Sequence, residues 1–128
     1  MNFFLYFYSM RLLRLDLTRR GYVEDFEFFE TNEPDLEAFC EMLFDQEQEH
    51  IFESTDDPSE KISRLDEIDF YSSETYAEFY YDGGFCSRFY LVDHKDNQDL
   101  IEAANKENID SIEYQYLNEV MQKKLQKS

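Results

Sequence analysis

The sequence is poor in basic residues, glycine, proline, histidine and cysteine, and has no tryptophan. Twelve Lys and Arg stand against 30 Asp and Glu, a formal charge of -18. Phosphate contacts come from Lys and Arg, so direct nucleic-acid binding is not expected. Three Gly leave no Gly-rich phosphate loop, and the one pair, Gly83-Gly84, lies in a turn signal. His50 and His94 are the only histidines, with no His-x-x-His or Cys-x-x-Cys spacing for zinc. Asp93 to Ala104 has the outline of a calcium loop, but Lys95 holds the third position, Gln98 replaces the Gly and Ala104 replaces the bidentate Glu. Two cysteines without a secretion signal fit a reducing cytoplasm, with Cys40 and Cys86 as buried free thiols. The apolar stretch "NFFLYFYSM" lacks a basic region before it and is too short to cross a membrane, so it reads as a buried strand. Met10 offers a second start, which would make residues 1–9 dispensable.

What is present is apolar and acidic together. Hydrophobic residues make up 42% and aromatics 18%, with 13 Phe and 10 Tyr, which is core material enough for a folded chain. At 128 residues, a single domain spanning 1–128 can bury its core without staples. The charge is uneven. Residues 1–20 hold four Arg and one Asp, residues 121–128 hold three Lys, and residues 21–120 hold 29 acids against five basic residues.

Residues 12–18 alternate, Leu13, Leu15 and Leu17 against Arg14, Asp16 and Thr18, and predict a strand. "TRRGY" supplies a turn in which Gly21 is free to take positive φ, and "YVEDFEFFE" completes an antiparallel pair. "TNEP" opens a long helix, with Asn32 as N-cap, Pro34 in the first turn and Leu36, Phe39, Cys40, Leu43, Phe44 and Ile51 as the buried stripe. "STDDPSEKISRLDEI" predicts a shorter helix capped by Asp57 and Pro58, with Glu60 closing a capping box and Ile62, Leu65 and Ile68 buried. "SSETYAEFYYDGGFCSRFYLVD" is a hairpin about Asp82-Gly83-Gly84. "NQDLIEAAN" and "NIDSIEYQYLNEVMQKKLQ" read as helices, the latter with Ile109, Ile112, Tyr116, Val120 and Leu125 as a rough apolar face. "SIEYQYL" also alternates with period two, which keeps a strand open for 111–117. The fold class is α+β: an N-terminal strand pair and a Tyr-rich hairpin packed against a long acidic helix and C-terminal helices.

The long helix carries an acid at every fourth position, Glu33, Glu37, Glu41, Asp45, Glu49 and Glu53, and like charges at that spacing cost a few tenths of a kcal/mol per pair. With 30 acids among 42 charged residues, such a row arises by chance about one time in eight, so the row alone is weak evidence, and its plain reading is a solvated helix face. The whole-chain imbalance is the stronger signal, because ordinary small domains keep a net charge of about 2 to 8 in magnitude. Three things would reward it: a partner with a strongly positive surface, a halophilic environment, or a divalent cation. Dedicated oxygen-rich loops are missing for the third, and nothing else in the composition supports the second. On the helix, Glu37, Glu41, Asp45 and Glu49 fall on the side away from the apolar stripe, rising about 6 Å per step, comparable to every second phosphate of a DNA strand.

Tyr71, Tyr76, Tyr80, Tyr81 and Tyr90 cluster in and beside the hairpin, and at most half of a strand's positions face one core. Exposed beside Glu74, Glu78 and Asp82, they would form a hot spot for basic residues; the competing arrangement has them line a second buried face beneath a helix. The expected function is a non-catalytic acidic inhibitor that binds the positive nucleic-acid-binding surface of a nuclease or other DNA- or RNA-binding enzyme. It would act as a DNA mimic of the phage anti-restriction or anti-CRISPR type, or as an immunity protein for a nuclease toxin. The alternative is an acidic scaffold or regulatory subunit that leaves nucleic acid unblocked. The candidate docking residues are Glu37, Glu41, Asp45, Glu49, Glu74, Glu78, Asp82, Tyr76 and Tyr80. No catalytic residue, cofactor, metal ligand or membrane partner is assigned, and the expected location is the cytoplasm.

Overall fold

The Leu-rich alternating segment forms β1 (Met10–Leu17) and pairs antiparallel with β2 (Val23–Thr31) across a turn where Gly21 takes φ 85°. The computed structural model describes residues 10–18, 20–81 and 85–127, so the segment 3–8, expected as a strand, lies outside the described residues. Three more strands complete one antiparallel sheet in the order β2-β1-β5-β4-β3: β3 (Asp69–Ser72), β4 (Tyr76–Tyr81) and β5 (Phe85–Leu91). The predicted hairpin is β4–β5, with Tyr81 opposite Phe85. The short β3 is not among the predicted elements; "DFYS" carries too few alternating residues to register beside the helix that precedes it.

The acidic helix α1 (Leu36–Ser54) starts later than predicted. Pro34 disfavours a helical conformation at Glu33. The cap therefore moves from Asn32 to Asp35, whose carboxylate accepts from Ala38 N at 2.8 Å. Helix α2 (Pro58–Asp66) is capped by Asp57, which accepts from Ser59 N at 3.0 Å. Glu60 does not close the predicted box; it accepts from the Thr55 hydroxyl at 3.0 Å. Ile62 is a further correction, being 62% exposed. The helix leans on α1, with Lys61 over the Phe52 ring, so of its predicted face only Leu65 packs on the core, while Ile68 is buried just past the helix end. A 3-10 turn (Lys95–Asn97) leads into α3 (Gln98–Asn105), and α4 (Ile109–Lys127) is helical throughout, so the strand alternative for 111–117 falls away.

The sheet is covered on both faces. On one, Leu36, Phe39, Cys40 and Ile51 of α1 pack on Leu12, Ala77, Phe79 and Phe89. On the other, Leu100, Ile101 and Ala104 of α3 with Ile112 and Tyr116 of α4 pack on Leu13, Leu15, Leu17, Cys86 and Tyr90. Inner strand β1 thus buries leucines on both sides, which is why its run is so rich in them.

Both thiols are free and buried. Burial, reinforced at Cys40 by Glu37 and Glu41, pushes Cys40 up to about 11, and burial pushes Cys86 up to about 11. The phenols of Tyr76, Tyr80 and Tyr116 are raised, chiefly by burial. An unfolded thiol ionises near 9, so between 9 and 11 the unfolded chain releases protons that the native state keeps. Stability is therefore intact below pH 9 and falls as pH rises through this window. Urea midpoints measured from about pH 8 to about pH 10.5 should decline monotonically above 9; a flat profile would refute the burial of these groups.

The α3–α4 connection turns at Glu107, whose φ of 55° is the left-handed conformation that glycine adopts without cost. Glu107 N donates to Ala104 O at 3.0 Å and Asn108 N to Ala103 O at 3.2 Å, closing the helix end. Glu107→Gly is expected to raise stability by about 0.5–1 kcal/mol, read as an increased urea midpoint with unchanged slope.

Candidate functional site

Helix α1 carries Glu37, Glu41, Asp45, Glu47, Glu49 and Glu53 and no Lys or Arg, because its solvent side takes the acids while its apolar stripe takes the sheet. Glu37, Glu41, Asp45 and Glu49 are all exposed. Glu41, Asp45 and Glu49 join Glu33 around a shallow hollow of ≈ 390 Å³ floored by Ala38, Met42 and Gln46. Four carboxylates around one depression concentrate negative potential on a rigid element.

Beside it, sharing Met42 and Gln46, a larger cleft of ≈ 530 Å³ opens between α1 and the sheet. Phe29, Phe39, Phe79 and Phe89 form its apolar wall, with Phe39 and Phe89 edge to face at 4.8 Å between centroids. A polar chain crosses its floor through four strands. Arg14 Nη2 meets Glu27 Oε2 at 3.1 Å and Arg14 Nε meets Asp16 Oδ1 at 3.1 Å. Ser87 Oγ donates to Asp16 Oδ1 at 2.8 Å and lies 3.2 Å from Tyr81 Oη. Arg14 is thus held by two carboxylates, and with Glu47 at the mouth the cleft is net acidic and largely apolar. In shape and charge that combination suits a long or aromatic side chain with a positive end. The cleft is not among the expected sites; the alternation of Arg14 and Asp16 along a strand flanked by leucines is its only signal in the sequence.

The hairpin candidates separate. Tyr76 is 4% exposed and Glu78 is 8% exposed, both beneath α4, so neither can meet a partner's surface in this fold. Strand alternation puts them on the face that the C-terminal helices cover. Tyr80, on the same face nearer the turn, is exposed and donates to Glu78 Oε2 at 2.7 Å. Glu74 is exposed in the bend before β4, away from the α1 row, and Asp82 lies outside the described residues.

Glu78 has a different role. It is ion-paired and hydrogen-bonded to the buried Arg88 directly across the hairpin. Arg88 also donates to Tyr90 Oη at 3.1 Å and lies 3.5 Å from Glu119 Oε1 on α4. The Tyr76 and Tyr116 rings are 4.2 and 5.0 Å from its guanidinium carbon. Lys123 Nζ donates to Tyr76 Oη and sits 3.8 Å from Glu119 Oε1; burial lowers its pKa, with Glu119 opposing. Burial likewise pushes the Tyr90 phenol up, with Arg88 opposing. Two cations, two carboxylates and four tyrosines therefore close on one another as a structural network.

Among the described residues no group of three His, Cys, Asp or Glu side chains is placed to hold a metal ion, and no helix is long and apolar enough to cross a membrane. No family model, curated protein or solved structure matches the chain.

Proposed function

We propose that the protein is a non-catalytic acidic inhibitor that occupies the positive nucleic-acid-binding surface of a nuclease or another DNA- or RNA-binding enzyme. The supporting observation is the exposed row Glu37, Glu41, Asp45 and Glu49 on a helix without a single Lys or Arg, in a chain of net charge -18. Folding such a chain works against its own repulsion, and a basic partner supplies the compensating attraction and steers fast encounter. Glu74 and Tyr80 remain candidate contacts.

The Phe-lined cleft beside the row favours a dedicated protein partner with an anchoring side chain, as an immunity protein has, over pure phosphate mimicry of the anti-restriction or anti-CRISPR type. The two differ in salt response. Mimicry resting on charge alone loses affinity steeply with salt, whereas an anchored complex keeps much of it. An acidic scaffold would bind without displacing nucleic acid.

The test is a low-salt pull-down from host lysate, followed by competition between the captured protein's DNA or RNA substrate and the purified inhibitor. Capture of a basic enzyme whose activity falls with added protein supports the reading, and the salt at which the complex dissociates separates mimic from immunity protein. Recovery only of neutral or acidic proteins, or of a basic enzyme that binds substrate undisturbed, overturns it.

A further inference from the structure

Helix α4 has two apolar faces, and only one meets the sheet. Ile112, Tyr116 and Val120 turn inward to the core. Almost opposite, Tyr114, Leu117 and Met121 are 66%, 39% and 62% exposed. Their spacing of three and then four residues aligns them within roughly 60° of one another on the helix surface, a seam of the coiled-coil kind. Exposed apolar side chains scattered singly need no explanation, but a row aligned on one helix implies a partner surface.

Charge decides which partner. The chain as a whole repels itself, yet between 109 and 127 three acids, Asp110, Glu113 and Glu119, are balanced by three lysines. This long, electroneutral helix is where two copies can approach with least repulsion. The signs are also segregated along it: exposed Asp110 lies near the N-terminal end and exposed Lys124 near the C-terminal end. A parallel in-register pair would set Lys124 against Lys124 and Asp110 against Asp110. An antiparallel pair about a two-fold axis near residue 119 sets Leu117 against Met121. It also brings Lys124 beside Tyr114 of the other copy, within about one turn of that copy's Asp110. Apolar seam, cation–ring contact and opposite charges then coincide in one arrangement.

We infer that the exposed face of α4 is a self-association surface, on which a second copy of this chain docks antiparallel through Tyr114, Leu117 and Met121. The inference is independent of the proposed inhibitor role, since α1 and α4 lie on opposite faces of the sheet. Because each copy keeps its full negative charge, screening assists the pairing, so the dimer should tighten as salt is added.

The experiment is analytical ultracentrifugation of the full chain over a concentration series at low and high salt. The expected result is a monomer–dimer equilibrium whose dimer fraction rises with salt. Leu117→Glu with Met121→Glu should raise the dissociation constant by about 100-fold or more, since apolar contacts are lost on both copies. These side chains are exposed, so circular dichroism should show an unchanged fold. Lys124→Glu should weaken the dimer and Lys124→Glu with Asp110→Lys should restore it, a rescue that only antiparallel pairing explains. A monomer at every concentration in high salt overturns the inference, leaving the seam to another occupant. A dimer indifferent to the Leu117 and Met121 changes overturns it equally, because association then uses another face.

Discussion

Glu78→Gln is expected to lower the stability of the protein by about 3 kcal/mol, although the substitution changes neither size nor exposure. Arg88 cannot lose its proton, so removing its carboxylate partner leaves a buried cation with Glu119 at 3.5 Å as its remaining counter-charge. Arg88 Nε already has no hydrogen-bond partner among the described residues, so little else is available to compensate. For a domain of this length the loss corresponds to a melting temperature lower by about 10 °C. A buried ion pair pays for the desolvation of both its charges, so its net contribution to stability is small. Arg88→Met with Glu78→Leu should therefore recover most of the deficit, since both desolvation costs vanish together. Thermal unfolding of the single and double variants checks this. A single variant as stable as the parent would mean that Glu119 alone neutralises the guanidinium.

The second large effect has opposite signs in two assays. Changing Glu37, Glu41, Asp45 and Glu49 to Gln together takes the net charge from -18 to -14 and removes the i, i+4 repulsions among them. The free protein should gain about 1 kcal/mol, while affinity for a captured basic partner should fall by tenfold or more, with a flatter salt dependence. Added salt should raise the melting temperature of the parent and raise that of the variant less. Unchanged partner affinity would remove α1 as the docking surface and leave the acids of β2 or Glu74 in its place. An unchanged melting temperature would mean that the carboxylates are far enough apart on the winding row to ignore one another.

Local order is legible in the chain and long-range order is not. Gly21 and the alternation on either side of it define β1–β2, and Asp57-Pro58 marks the start of α2, because both signals act within a few residues. The register of the hairpin is also within reach. Once the Asp82-Gly83-Gly84 signal is taken as the centre of the hairpin, 81 falls opposite 85 and Glu78 opposite Arg88, and this is the register observed. The sequence leaves open whether helices cover both faces of the sheet, and the structure takes the arrangement in which the hairpin tyrosines Tyr76 and Tyr90 line a second buried face. Leu13, Leu15 and Leu17 alternate as a half-buried strand does, and nothing local announces that Leu12 is buried on the other side. Without that second layer, Tyr76 and Glu78 pass for docking residues. For α4 the difficulty is different. Apolar residues on two opposite faces blur the helical period, so the rough face drawn through Ile109 and Leu125 mixes inward and outward positions.

The row on α1 is legible as an exposed face because acids at period four and apolar residues at period three to four diverge cleanly around a helix. The cleft beside it is hidden for the same reason that β1–β5 pairing is hidden: its floor is assembled from four strands, and Arg14, Glu27, Tyr81 and Ser87 become neighbours only once the sheet closes.

The position of β1 bears on how the molecule is made. As synthesis proceeds, β1 and β2 leave the ribosome before β5, so the other edge of β1 waits for β5, where Leu12 finds Leu91 and Leu17 finds Cys86. Until then the nascent hairpin holds its leucines on an open edge, with the acids of β2 and α1 around it to keep neighbouring nascent chains apart. The negative charge that burdens the finished fold thus also sets neighbouring chains against one another while that edge is open.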